Sequence, residues 1–145
     1  MHELTSPDAL QHLSPDPITA FNRLYKEYYS VLVFFARKLI RERPAAEDIV
    51  TEVFIKLWEK QPHFDLPQHA KAFLYISTRN ACLNYLQRNI YQARSLGNIP
   101  QAFLPTSQDD ILREIFRAEL LRQLARLVES LPAQCRKVVR MSYLE

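Results

Sequence analysis

The stretch Asp48-Ile49-Val50-Thr51-Glu52-Val53-Phe54-Ile55-Lys56-Leu57-Trp58-Glu59 decides how the rest of this chain is read. Wound at about 100° per residue, it forms a helix with two chemistries. Val50, Val53, Phe54 and Leu57 make the core face, flanked by Ile49 and Trp58. Asp48, Glu52 and Glu59 fall on the opposite side, and Ile55 sits among them. An apolar residue inside an acidic face marks an interface more readily than a solvated surface does. Pro44 suits the first helical position, and Glu47 and Asp48 suit the positive end of the helix dipole.

Working upstream, Asp16-Pro17 reads as a helix start, with a capping carboxylate followed by proline. Phe21, Leu24, Tyr25, Tyr28, Leu32, Phe35 and Leu39 then recur at helical spacing, and the helix ends before Pro44. Residues 1–16, rich in Pro, Asp, Ser and His, read as a flexible leader.

Downstream, Gln61 to Pro67 reads as a loop between two prolines, with Phe64 as its large apolar residue. A third helix is expected from about Gln68 to Asn89. Leu74, Ser77, Ala81 and Tyr85 are placed on its core face, with Phe73, Ile76, Asn80 and Leu83 on a second stripe. Residues 90–108, with Gly97, Pro100 and Pro105, read as a linker. Asp109-Asp110 starts a fourth helix carrying Ile111, Ile115, Leu120, Leu124, Leu127 and Val128. Pro132 opens a fifth with Val138, Val139 and Met141.

The bulk numbers agree with an all-α chain. There are 145 residues, 48% of them hydrophobic, and a single glycine. Hairpin turns draw on glycine for positive φ, so that scarcity disfavours a β-rich fold. The net charge of +3 is unremarkable, but its distribution is polarised. No Asp or Glu occurs from Leu66 to Gln108, where Lys71, Arg79, Arg88 and Arg94 all lie, whereas acids crowd the preceding helix. Such polarity predicts two partners, one basic and one anionic. Cys82 and Cys135 are far apart and stand in no metal-binding spacing, which fits reduced thiols. With no spanning segment and no signal-peptide pattern at Met1 to Pro7, a cytoplasmic location is expected.

Three blocks in this order resemble a known family. Phe21-x-x-Leu24-Tyr25-x-x-Tyr28-Tyr29, the acidic helix quoted above, and Ala72-Phe73-Leu74-Tyr75-Ile76-x-x-Arg79-Asn80-x-x-Leu83-Asn84-Tyr85-Leu86 resemble region 2 of an extracytoplasmic-function (ECF, group IV) sigma factor. Ser130-Leu131-Pro132-Ala133-Gln134-Cys135-Arg136-x-Val138 and Tyr143-Leu144-Glu145 resemble the opening of region 4. The resemblance implies a three-helix region 2 bundle over residues 17–89 and, over 109–145, an incomplete region 4. The family continues beyond Tyr-Leu-Glu into a helix-turn-helix that reads the −35 element, so the resemblance implies truncation within region 4.

By position, the resemblance makes Asp48, Thr51, Glu52, Ile55 and Glu59 contacts to the beta-prime coiled coil of RNA polymerase core. A charged rim would orient the encounter and the apolar contact would hold it. It also implies that the loop and third helix capture bases flipped from the non-template strand of the −10 element, so melting the promoter. His63, Phe64 and Tyr75 supply aromatic surface, Asn80 and Asn84 read base edges, and Lys71, Arg79 and Arg88 hold phosphates. An anti-sigma factor is implied as a further partner, and no cofactor or metal.

Each assignment has a plainer counterpart. The acidic face reads equally as a solvated helix side, Phe73 and Tyr85 as core, and Phe64 as a plug that anchors its loop. His63 and His69 read as ordinary loop-side histidines. A helical interaction module or regulatory decoy that never touches DNA shares the same fold. An enzyme finds no phosphate loop, ligand cluster or nucleophile spacing. The fourth and fifth helices, with apolar faces and little to cover them, are expected to be mobile, to fold back on the first domain, or to pair with another copy.

Overall fold

A computed structural model describes residues 16–97 and 107–144, nearly all of them helical. Helix α1 runs Pro17–Ile40, α2 Arg43–Lys60, α3 Pro67–Ser95, α4 Gln108–Glu129 and α5 Ala133–Val139, the last running into a π-helical turn at Arg140–Leu144. Among the described residues there is no strand. The leader up to residue 15 and residues 98–106 of the expected linker lie outside the described residues.

Local chemistry sets each boundary. Asp16 caps α1 by accepting from the Ile18 amide at 3.2 Å and the Thr19 hydroxyl at 2.5 Å. The bond from Thr19 is the chief reason its carboxyl is held below the usual range. Arg41 and Gln61, both at positive φ, end α1 and α2 with amides that return to Arg37 and Leu57. Ser107 caps α4 by accepting from the Asp110 amide at 3.1 Å.

Helix α3 runs six residues past the Asn89 expected from the sequence. Apolar periodicity fades there, but nothing breaks the helix until Gly97, whose φ of +81° ends it.

The first three helices pack around Leu32, Phe35 and Ala36 of α1, Val50 and Phe54 of α2, and Leu74 and Cys82 of α3, all buried. The core face of α2 matches the expected one, with Ala46 added. That of α3 is rotated from expectation: Ala70, Leu74, Tyr75, Thr78, Cys82 and Leu86 are buried, while Ser77, Ala81 and Tyr85 are only half-buried. Helix α4 folds back along α1 and adds Ile111 and Ala118 to the same core. Of the three fates left open for this helix, the described arrangement is the folded-back one.

Candidate polymerase and nucleic-acid surfaces

The outer face of α2 carries Asp48, Thr51, Glu52, Ile55 and Glu59, all exposed. Ile55 is 44% exposed. The nearest ion pair on this helix, Arg43 to Glu47 at 3.1 Å, belongs to its first turn. Among the described residues no ion pair engages Asp48, Glu52 or Glu59. Their charge is therefore directed to solvent. Beside this face, at the α1–α2 seam, Phe21 meets Trp58 edge-on at 5.4 Å and Tyr25 meets Phe54 at 5.1 Å. Trp58 and Tyr25 each leave a substantial part of the ring exposed.

The loop after α2 presents His63, whose Nε2 is 3.4 Å from the Asp65 carboxylate, an ion pair only when the ring is protonated. Phe64 is half-buried and meets Phe73 edge-on at 5.6 Å, so it anchors the loop while keeping part of its ring at the surface. Along α3, Ile76, Asn80, Asn84 and Arg88 follow one another at four-residue spacing, and all are exposed. Arg79 lies beside this stripe and donates from Nε and Nη2 to the Asn80 side-chain oxygen at 3.2 and 3.0 Å. These bonds engage the Asn80 side-chain oxygen.

Two further residues assigned to DNA, Tyr75 and Lys71, bond to another helix. Tyr75 is 3% exposed, wedged edge-on against Phe35 and Tyr28, and its hydroxyl donates to Glu119 Oε2 at 2.8 Å. Its placement as a stacking ring is corrected: α1 and α4 close over it through Tyr28, Phe35 and Glu119. Burial first, then the bond to Glu119, push its hydroxyl far above the usual tyrosine range, keeping it a neutral donor. Lys71 is partly exposed, and its Nζ donates to Glu119 Oε1 at 3.1 Å.

Glu119 belongs to α4, and its carboxylate also accepts from Arg122 Nε at 3.1 Å and Nη2 at 3.0 Å. Arg122 is only 4% exposed, donates to Glu27 of α1, and lies 4.8 Å above the Tyr28 ring. Arg126 adds a second cation 3.5 Å from Glu27. Burial would raise the Glu119 pKa, but the bonds from Arg122, Tyr75 and Lys71 outweigh it and hold the carboxyl below its usual range. This network joins three helices, and the sequence reading missed it. Its only trace there is Glu119 and Arg122 one turn apart on the side of α4 that holds Ile111, Ile115 and Ala118.

The sequence reading also missed Tyr91. It was assigned to the linker, yet it lies on the extension of α3 with its ring 73% exposed, in line with Asn84 and Arg88. Among the described residues no cluster of three or more His, Cys, Asp or Glu is placed to hold a metal ion. None of the described helices is long and apolar enough to cross a membrane.

A helical core with an acid-rimmed outer face on one helix and an acid-free helix beside it matches a recognised domain: residues 24–90 fit the family model for sigma-70 region 2. Over 125 residues the chain is 26% identical to the ECF RNA polymerase sigma factor SigL of Mycobacterium tuberculosis, in each of three strains, covering 83% of this chain and 67% of the relative. No solved structure matches the chain. The likeness is thus to sigma-70 region 2 over residues 24–90 and to an ECF sigma factor over most of the chain. These similarities support a role in promoter recognition and transcription initiation, work that sigma factors generally perform without catalysis.

Proposed function

We propose that this chain engages RNA polymerase core through the outer face of α2 and holds the unpaired −10 strand through the 61–66 loop and α3, in the cytoplasm. The observation that carries this reading is the contrast between two adjacent helices. The outer acids of α2 stand exposed with no ion pair among the described residues, and α3 contains no acid at all.

In this reading Asp48, Glu52 and Glu59 orient a basic partner, the beta-prime coiled coil, while Ile55 and Thr51 make the desolvated contact. On the other surface Phe64 and His63 border the site for a flipped base, with Asn80 and Asn84 facing base edges. Arg79, Arg88 and, when released, Lys71 hold phosphates. Tyr91 is added as an outlying stacking ring. Stacking worth about 1–3 kcal/mol per base offsets the few kcal/mol needed to unstack it. A regulator of the anti-sigma kind would act by covering these two faces.

The test is reconstitution with core polymerase and a fluorescent A/T-rich single strand. Ile55→Ala is expected to weaken core binding roughly tenfold or more, as loss of a central apolar contact does, while leaving stability within about 0.5 kcal/mol, as usual for an exposed site. Phe64→Ala and Asn80→Ala are expected to leave core binding intact and to release the strand. Strand retention independent of salt and of core polymerase would refute the reading. A helical interaction module that avoids DNA is the second reading. It draws on the outward leucines of α4, and it gains the ground if joint replacement of Lys71, Arg79 and Arg88 leaves transcription intact.

A further inference from the structure

Helix α4 buries only a narrow apolar strip, Ile111, Ala118 and Val128, and sets charged residues beside it. Its charged residues Glu119 and Arg122 face inward, whereas Leu112, Phe116, Leu120, Leu124 and Leu127 are exposed. Docking therefore rests heavily on a buried ion network, in which Coulombic attraction largely cancels against lost hydration. It leaves much of the helix's apolar surface in water. An attachment of that kind is specific in geometry and modest in strength.

What it holds is also specific. Glu119 occupies Lys71, a cation in the early turns of α3 close to the loop bearing His63 and Phe64, and it fixes the Tyr75 hydroxyl. From this geometry we infer that α4 is an internal clasp: closed, its Glu119 carboxylate occupies Lys71 in place of a DNA phosphate, and region 2 reaches full affinity for a single strand only when α4 lifts. The inference rests on the DNA-binding reading given above and adds a regulated state to it. A carboxylate and a phosphate are both anions that accept from the same ammonium group, so the two compete for it directly. Arg122, bound to Glu27 of α1 on one side and Glu119 on the other, fixes the register in which α4 closes.

The experiment compares the full chain with Glu119→Gln in the presence of core polymerase. It reads anisotropy of a fluorescein-labelled A/T-rich single strand and, separately, amide hydrogen exchange. Glu119→Gln is expected to speed exchange in α4 and to tighten strand binding roughly three- to tenfold, the value of one charged contact regained. Lys71→Gln in the same background is expected to abolish the gain. Glu114→Gln, which loses only a pair with Arg117 on its own helix, is expected to change neither readout. Slow exchange kept in α1 to α3 identifies a folded variant; if it is lost, Glu27→Gln, which removes the α1 acid that Arg122 and Arg126 reach while Arg122 keeps Glu119, provides a second route to release.

Wild-type binding that Glu119→Gln leaves unchanged, or a gain that survives Lys71→Gln, overturns the clasp alone. Binding by neither chain overturns the DNA-binding reading and the clasp with it.

Discussion

The Tyr85 hydroxyl donates to the Glu42 carboxylate at 2.6 Å, tying the middle of α3 to the residue that precedes α2. Glu42 holds the N-cap position of α2 but makes no side-chain cap bond, since its carboxylate is turned toward the neighbouring helix. The same bond is the chief cause of the raised Tyr85 pKa. Tyr85→Phe removes it and is expected to cost about 1 kcal/mol, the net worth of one hydrogen bond. Urea unfolding should show a lower midpoint with an unchanged slope.

Arg122 is the residue whose truncation should cost most. Replacing it with alanine leaves Glu119 inside the network with only Lys71 as a cation, and Glu27 with Arg126. Breaking a buried pair from one side costs about 3 kcal/mol or more. Arg122→Met combined with Glu119→Gln is expected to recover at least half of that loss, because the acid no longer needs its partner while acceptors remain for Tyr75 and Lys71. A double-mutant cycle in urea measures the coupling.

Acid should loosen α4 before it unfolds the bundle. The Glu119 carboxyl is held below its ordinary value of 4.5 because the bonds from Arg122, Tyr75 and Lys71 outweigh burial. A depressed folded pKa gives stability that is fully present above the unfolded value and is lost as pH falls through the folded one. The stability difference between wild type and Glu119→Gln is therefore expected to be constant around neutrality and to shrink below 4.5. Hydrogen exchange in α4 should accelerate over the same range. Glu27, Arg126 and Lys71 face the same network, so variants at each should shift the midpoint.

The two thiols should behave oppositely. Cys82 is fully buried in the core and burial pushes its thiol up to about 12, whereas Cys135 is exposed on α5. Iodoacetamide at mildly alkaline pH is expected to modify Cys135 alone in the native chain and both in denaturing urea. Mass spectrometry counts the adducts, and native labelling of Cys82 would mean that α3 opens.

Much of this architecture is legible in the sequence where apolar residues repeat cleanly. Val50, Val53, Phe54 and Leu57 define one face of α2, and their complement, the exposed acids with Ile55, follows by geometry alone. Helix α3 resists the same treatment because apolar side chains occur all round it. Its inner face is decided by which neighbours arrive, and α4 brings a carboxylate that turns Tyr75 inward. Thr78 and Cys82, fully buried, carry too little hydrophobic signal to mark a core stripe. The far end of α3 was misjudged for a related reason: loss of periodicity marks where packing stops, whereas a helix persists until something like Gly97 ends it. The clasp was beyond reach, since Lys71 and Glu119 are 48 positions apart and nothing local pairs them.

Trp58, the only tryptophan, lies partly exposed at the α1–α2 seam, edge-on to Phe21 and three residues from Ile55. The chain thus carries a native fluorophore at the border of the face assigned to the polymerase. Its emission would move to shorter wavelength as water leaves that border, giving an intrinsic optical record of holoenzyme assembly without any added dye.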